Sequence, residues 1–368
     1  MRVAIVINTS WNIYNFRLGL VKSLIERGDK VIAIAPKDDF SKLLVQAGCE
    51  FIPLEMDTKG VNLINDLFLI YRLYNTYKKA KPDVILQYTI KPNIYGSIAA
   101  RLLKIPTICN VSGLGTVFLK DNLLSKVSES LYKFAFRFPA KVFFQNDEDK
   151  KLFFEKRLVP PIITETIPGS GINLEKFPKV PLPHNQPFIF LLISRIISDK
   201  GIYEFIEAIK ILKEKGLNAT FQLLGAKDPE HKRGIGLDEI DQWIADKTIA
   251  YLGTTYDVQP YIAKADCIVL PSYREGMPRT LLEAGSTGRP MIATDVPGCN
   301  HIVEDGINGF LCQIKSATSL AKKMEEMLLL DKHQLKIMAE NGRTKIENTF
   351  SEKTIIDKYQ ETIHSILN

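Results

Sequence analysis

Cys267-Ile268-Val269-Leu270-Pro271-Ser272, continuing through Tyr273 into Arg274-Glu275-Gly276-Met277-Pro278-Arg279-Thr280-Leu281-Leu282-Glu283, reads as a buried strand, a short Gly/Pro loop and the start of a helix. That order is the usual geometry for holding a phosphorylated ligand at a helix N-terminus. Pro278 suits the first helical turn, where its missing N–H costs nothing. The amides of Arg279, Thr280 and Leu281 are then expected to face the ligand, with Gly276 and Met277 in the loop before them. Glu283 lies three residues beyond Thr280 on the same helix face, so its carboxylate can reach past a phosphate. Glu275, in the loop, can accept hydrogen bonds from hydroxyls on the other side. An anion site between two hydroxyl-binding acids describes a nucleotide-sugar pocket; a pair of glutamates on a solvated helix face is the plain alternative.

Two further segments point the same way. Ile193-Ser194-Arg195-Ile196-Ile197-Ser198-Asp199-Lys200-Gly201 follows the apolar run Phe188–Leu192. Arg195 ends a strand and Lys200 opens a helix expected over 201–216, so both cations project from the carboxyl edge of a parallel sheet. A diphosphate leaving group gathers negative charge as its bond to a sugar breaks, and positioned cations stabilise that state. Surface cations near a helix end would look similar. The second segment, Tyr251-Leu252-Gly253-Thr254-Thr255-Tyr256-Asp257-Val258, is a strand end with a glycine turn. Leu252 and Gly253 there can cradle a base with backbone groups.

At 368 residues the chain exceeds the size at which one core stops growing, so two domains are expected. Apolar runs at 3–7, 31–35, 49–54, 84–86, 107–111 and 141–145 read as strands separated by helix-length segments, which argues for parallel βαβ units. Pro168, Pro178, Pro181, Pro183 and Pro187 mark an interdomain linker. The alternation restarts at 188–194, 219–224, 249–252, 267–270 and 291–294. The expected fold is α/β, with two doubly wound parallel-sheet Rossmann-like domains facing a cleft: 1–168, a linker over 169–187, and 188–350. A helix over 351–368 is expected to pack back on the first domain.

Residues 1–180 carry 26 Lys and Arg against 17 Asp and Glu, a balance of +9, whereas residues 181–368 carry −3. The basic half suits an anionic partner such as a phospholipid surface or a lipid diphosphate. No nucleic-acid motif accompanies it, so nucleic acid is not expected. Five scattered cysteines without metal-ligand spacing favour a reducing compartment and a core role. No leader-like segment and no apolar run near the length of a membrane span is visible.

Taken together, Glu275 and Glu283, the Arg195/Lys200 pair, Gly169–Phe177, Asp295-Val296-Pro297-Gly298-Cys299 and Asp305–Leu311 resemble the retaining, nucleotide-sugar-dependent glycosyltransferases of family 4, which have the two-Rossmann GT-B fold. Ile13-Tyr14-Asn15-Phe16-Arg17 and Gly113-Leu114-Gly115 look like a bacterial subgroup that extends polyprenyl-diphosphate-linked saccharides, often with N-acetylgalactosamine. The resemblance implies a UDP-sugar donor delivering a hexose or N-acetylhexosamine, and a lipid-linked saccharide acceptor in surface-glycan or glycoprotein-glycan assembly. It also implies a cytoplasmic enzyme held peripherally at the inner face of the cell membrane. Arg195 and Lys200 would neutralise the diphosphate. Glu275 with the Gly276 and Met277 amides would orient the sugar hydroxyls, and Glu283 would bind the ribose diol.

The acceptor side is expected from the first half. Asn12, in the loop after the first strand, is expected to meet the donor; the Gly-Gly pair many relatives have there is missing. Lys91 and Asn93, after the fourth strand, and Ser112 and Gly113, after the fifth, are expected to meet the acceptor, with Lys91 holding its pyrophosphate or else solvated. Many family members place a His after the fifth strand, where Ser112 stands here; His301 occupies a position where Glu is common. A conventional general base is therefore not expected, and the resemblance implies retention by front-face attack, a departing phosphate oxygen taking the acceptor's proton. No cofactor or metal is expected: Asp147-Glu148-Asp149 opens a predicted helix, where carboxylates cap and complement the dipole. A UDP-sugar epimerase on the same scaffold is the rival reading.

For the membrane, Lys126, Lys133 and Arg137 fall within about 40° of one another at helical periodicity over 121–138. Val127, Leu131, Phe134 and Phe138 form the neighbouring stripe, an arrangement that can lie in a bilayer interface or simply pack on a sheet. The segment 62–81, with Phe68, Tyr71, Tyr74, Tyr77, Arg72, Lys78, Lys79 and Lys81, is a weaker candidate.

Overall fold

The computed structural model describes residues 1–56, 63–113 and 123–368. Asn62, Leu114, Gly115 and Asp121, which figured in the readings above, lie outside the described residues. Two compact units emerge: Met1–Ser170 with Glu352–Asn368, and Gly171–Ser351.

The first unit runs β1 (Arg2–Val6), α1 (Ser10–Glu26), β2 (Lys30–Ala35), α2 (Phe40–Gln46), β3 (Glu50–Pro53), α3 (Leu63–Ala80), β4 (Val84–Tyr88), α4 (Ser97–Leu102), β5 (Thr107–Val111), α5 (Leu123–Ala135), β6 (Lys141–Phe144), α6 (Asp147–Glu155) and β7 (Thr164–Thr166). A π-helical turn, Pro92–Gly96, precedes α4. The parallel strands are ordered β3-β2-β1-β4-β5-β6-β7. Strand residues alternate between two cores: Val3 and Ile5 pack with α1 on one face, Ala4 and Val6 with α3 on the other. Such strands have no polar face, because helices cover both sides.

The second unit runs β8 (Phe188–Ile193), α7 (Ile202–Glu214), β9 (Ala219–Leu224), α8 (Leu237–Ala245), β10 (Ala250–Tyr251), α9 (Gln259–Lys264), β11 (Cys267–Leu270), α10 (Arg279–Thr287), β12 (Met291–Thr294), α11 (Cys299–Ile302), β13 (Gly309–Cys312), α12 (Ala317–Leu328) and α13 (Lys332–Thr349). Its parallel sheet is ordered β10-β9-β8-β11-β12-β13. In α7, Ile202, Phe205, Ile206, Ile209 and Leu212 recur at helical spacing and are buried against β8 and β9. The strand order reverses between β8 and β11, the switch point outside which such sheets bind ligands.

Two strands escaped the sequence reading. β7 has three half-buried residues among prolines, and β13 is four residues that open on Gly309. Both are too short to show a period. The last helix, α14 (Glu352–Leu367), belongs to the first unit: Tyr359 lies edge-on to Phe143 at 5.2 Å and accepts from Asn110 Nδ2 at 3.0 Å.

The segment read as a linker is anchored to the second unit by Arg289, which is 0% exposed. Its guanidinium donates to the carbonyls of Val180 at 3.1 Å, Pro181 at 2.8 Å, Ile262 at 3.2 Å and Ala263 at 2.8 Å. Burial pushes its pKa down to about 10, so the charge is held by carbonyl dipoles rather than by water. Arg289→Met leaves several buried carbonyls unpaired, and each such acceptor costs about 1–3 kcal/mol. Urea unfolding is expected to show a loss of at least about 3 kcal/mol in the unit that contains it.

Candidate active site

At the switch point of the second sheet, the ends of β8 and β11 carry the two halves of one charge cluster. After β8 the chain makes a 3-10 turn, Ser198–Lys200, ahead of α7, so Lys200 stands before the helix rather than opening it. Gly201 follows at φ 70°; a Cβ there would lie 2.1 Å from the carbonyl oxygen of Pro271, so only glycine lets this turn touch the end of β11. The contact brings Lys200 Nζ to Glu275 Oε1 at 2.5 Å, with side chains 21% and 14% exposed. Residues 75 positions apart thus form one ion pair. Arg195 is exposed at the end of β8.

Glu275 sits in a braced loop. The Tyr273 amide donates to Asp199 O at 2.9 Å, and its hydroxyl donates to Glu204 Oε1 at 2.7 Å. Thr294 Oγ1 donates to the Ser272 carbonyl. Gly298, at φ 85°, packs on the loop's backbone: a Cβ there would lie 2.5 Å from Gly276 O and 2.9 Å from Glu275 O. Burial raises the Cys299 thiol pKa well above its usual range, and the Glu275 carboxylate adds to the shift.

Helix α10 starts one residue later than the sequence suggested, with Pro278 as its N-cap at φ −71° and ψ 114°. This alters the expected set of free amides. Leu281 N donates to Pro278 O at 3.2 Å and its side chain is buried, so it presents nothing to a ligand. Thr280 Oγ1 donates to Ile193 O at 3.2 Å, binding α10 to the end of β8. Glu283 is buried on the helix face beyond and pairs with Arg279 Nε at 3.0 Å. Burial raises the Glu283 pKa, with Arg279 pulling the other way. Arg279, read for its amide alone, supplies the counter-ion; its spacing of four from Glu283 was the available signal. Leu252 N is taken by Leu223 O at 2.9 Å, while Gly253 turns at φ 77° and accepts from Gly225 N at 2.9 Å. Met277 packs partly on the core below.

The first unit treats its expected acceptor residues differently. Lys91 is neither a lone cation nor solvated: Nζ lies 2.9 Å from Asp66 Oδ1, whose other oxygen accepts from Tyr95 OH at 2.8 Å. Asn93 is buried in the π-helical turn, donating to Asn110 O at 2.8 Å. Trp11 and Asn12, expected in a loop, lie in the first turn of α1: the Asn12 amide donates to the N-cap Thr9 Oγ1 at 3.2 Å and the Trp11 amide to Asp38 Oδ2 at 3.1 Å, so both amides already have partners. Ser112 is exposed and Gly113 turns at φ 111°. Asp147, Glu148 and Asp149 form the first turn of α6, which Asn146 caps by accepting from Asp149 N at 2.7 Å. Among the described residues, no three His, Cys, Asp or Glu are grouped to hold a metal ion.

Of the interfacial candidates, Lys126, Lys133 and Arg137 are exposed on or just beyond α5, and Phe134 lies edge-on to Phe138 at 5.3 Å. Leu131 packs partly on the core. On α3, Leu67, Phe68 and Tyr71 are 67%, 61% and 65% exposed, whereas Tyr77 is buried. Helix α3 therefore offers the larger apolar patch, contrary to the ranking from sequence. No helix among the described residues is long and apolar enough to cross a membrane.

Comparison with known proteins identifies the family and the fold. Residues 174–345 match the family model for glycosyl transferases group 1, and residues 2–146 the one for glycosyl transferase 4-like proteins. The chain belongs to these glycosyltransferases. This glycosyltransferase is 29% identical, over 98% of its length and 97% of the relative's, to N,N'-diacetylbacillosaminyl-diphospho-undecaprenol alpha-1,3-N-acetylgalactosaminyltransferase of Campylobacter jejuni. It is 29% identical, over 82% of its length and 80% of the relative's, to UDP-Gal:alpha-D-GlcNAc-diphosphoundecaprenol alpha-1,3-galactosyltransferase of Escherichia coli. Its fold is that of Anabaena Alr3699/HepE, solved with UDP and glucose, at a TM-score of 0.82 and 20% identity over 99% of this chain and all of that one. Sucrose-phosphate synthase of Thermosynechococcus elongatus superposes at 0.81 with 18% identity, over 99% and 98% of the two chains. Both units are of the GT-B type, and the epimerase alternative finds no support.

The packing of Gly298 on the Glu275 loop has a direct consequence. Gly298→Ala forces that loop away from Lys200, and displacements of this size cost up to about a hundredfold in rate. Sugar transfer is expected to fall at least about tenfold in kcat/KM while circular dichroism stays native.

Proposed function

We propose that this glycosyltransferase moves N-acetylgalactosamine, or a related hexose or N-acetylhexosamine, from a UDP-sugar to a polyprenyl-diphosphate-linked saccharide with retention of configuration. The observation that carries the donor half is the Lys200–Glu275 pair at the β8/β11 switch point, where a cation and a hydroxyl acceptor are held side by side. The acceptor class follows the two relatives, whose names specify undecaprenol-diphosphate saccharides.

In this reading the resting ion pairs exchange partners. The donor diphosphate takes Lys200 and Arg195, and the freed Glu275 carboxylate, with the amides of Gly276 and Met277, accepts and orients the sugar hydroxyls. Glu283 exchanges Arg279 for the ribose diol, while the backbone at Leu252 and Gly253 lies along the base. As the glycosidic bond breaks, charge builds on the leaving diphosphate, and Lys200 and Arg195 stabilise it. The acceptor hydroxyl attacks from the leaving-group face and passes its proton to the departing phosphate oxygen. No metal enters this scheme. In the first unit, Ser112 and Gly113 remain as acceptor contacts, while the charge of Lys91 is already answered by Asp66.

A charge-assisted hydrogen bond contributes about 1.5–3 kcal/mol. Lys200→Ala and Glu275→Gln are each expected to lower kcat/KM for transfer roughly tenfold to a hundredfold. Mass spectrometry of products from a panel of UDP-sugars and a polyprenyl-diphosphate disaccharide is the measurement; full activity in both variants removes the site assignment.

We also propose that the enzyme works at the inner face of the cell membrane, with α3 inserting Leu67, Phe68 and Tyr71 and α5 contributing Lys126, Lys133 and Arg137. Both helices pack on the same face of the first sheet. Apolar insertion resists salt and headgroup attraction does not. Triple substitution of the α3 residues by Ser is therefore expected to weaken co-sedimentation with anionic vesicles even at high salt. Substitution of the three cations by Glu should matter mainly at low salt. Unchanged sedimentation of both variants would refute the membrane assignment.

A further inference from the structure

Arg233 lies between β9 and α8, and nothing in the local sequence marks it. Its guanidinium is paired with the carboxylate of Asp199, the residue before Lys200. The backbone fixes this meeting. Ser198 N donates to Arg233 O at 2.9 Å, Ile197 bridges Gly234 in antiparallel fashion, and Ile196 bridges Lys227. Arg233 N in turn donates to His231 Nδ1 at 3.2 Å. The Asp199 carbonyl accepts from Tyr273 N, so the same turn is tied to the loop bearing Glu275. Arg233 is therefore built into the cluster, not draped over it, and its side chain keeps 32% exposure, enough to meet a ligand.

The charges around this turn are costly to assemble. Burial lowers the Arg233 pKa, and the nearby charge of Arg195 lowers it further, which means that the two guanidinium groups repel at rest. Lys200 is a third cation on the same turn. Three like charges stand at the carboxyl edge of a parallel sheet, a distribution that attracts anions, and the carboxylates of Asp199 and Glu275 pair with two of them.

We propose that Arg233 is a third diphosphate-binding cation of this site, with Asp199 as the resting partner it leaves when the donor arrives. The inference rests on the donor-site reading above and adds a residue to it. Asp199, 28% exposed, is then solvated by water rather than stranded.

The two members of the pair have opposite effects on affinity, which a purely structural ion pair would not produce. By titration calorimetry on the full chain, Arg233→Gln is expected to weaken UDP about tenfold and to leave uridine unchanged, since uridine has no phosphate. Asp199→Asn is expected to tighten UDP roughly threefold to tenfold, and this gain should vanish in the Asp199→Asn/Arg233→Gln double variant. Arg233→Lys, which keeps the charge if Arg233→Gln folds poorly, should stay within about threefold of the parent. Unaltered UDP binding by Arg233→Gln, or equal losses for UDP and uridine, overturns the proposal. Lys200→Ala, measured alongside, separates the two levels: if it weakens UDP while Arg233→Gln does not, only the role of Arg233 falls. If neither variant weakens UDP, the donor site itself is misplaced.

Discussion

Mutual neutralisation of charge is the constraint on which this site depends. Lys200 with Glu275, Arg233 with Asp199 and Arg279 with Glu283 are three cation–carboxylate pairs around the ends of β8 and β11. A partly buried charge without a partner loses much of its hydration, so a ligand site rich in cations is stable only if the protein supplies its own anions. A nucleotide-sugar carries phosphates that suit cations and hydroxyls that suit carboxylates, which is why the proposed donor site is built from such pairs. Arg233 and Asp199 keep the most contact with water, while Glu283 is buried.

Arg279 and Glu283 meet one helical turn apart, whereas Lys200 and Glu275 meet because backbones approach closely. Gly201 touches the carbonyl of Pro271, and Gly298 touches those of Glu275 and Gly276. Each contact replaces a side-chain layer with direct backbone packing, and this sets the distance between the β8 turn and the β11 loop. The side-chain brace from Thr280 to Ile193 adds the helix to the same assembly. The position of the charged tips is thereby set by the strand ends.

The first unit follows another logic at its own switch point, between β1 and β4. Its candidate polar groups are largely committed internally: Lys91 to Asp66, Asn93 to the Asn110 carbonyl, and the amides of Trp11 and Asn12 to Asp38 and Thr9. The Arg17 guanidinium lies 4.5 Å from the Tyr88 ring centroid, and Tyr359 of α14 completes this buried layer beside Asn110. A residue near the end of the chain is thus part of the core of the first unit, which ties the folding of Met1–Ser170 to Glu352–Asn368.

Composition and period sufficed for the strands that are continuous apolar runs and for α7 and α14, and motif position placed Arg195, Lys200 and Glu275 beside strand ends and Glu283 on the helix that follows. In each case a short window of sequence carries the physical cause: burial on both faces, a helical stripe, a glycine or proline at a strand end. Burial could not be read for Lys91 or Tyr77, because a window cannot show which neighbour from elsewhere in the chain will meet a side chain. The same holds for Arg233, whose partner sits 34 positions away and is reached only once β8 and β9 are adjacent. Local sequence determined which groups stand at the edge of each sheet. Apart from Arg279 and Glu283, which are one helical turn apart, only the tertiary structure decided which charges pair there, because those distances are set by strand order and not by separation along the chain.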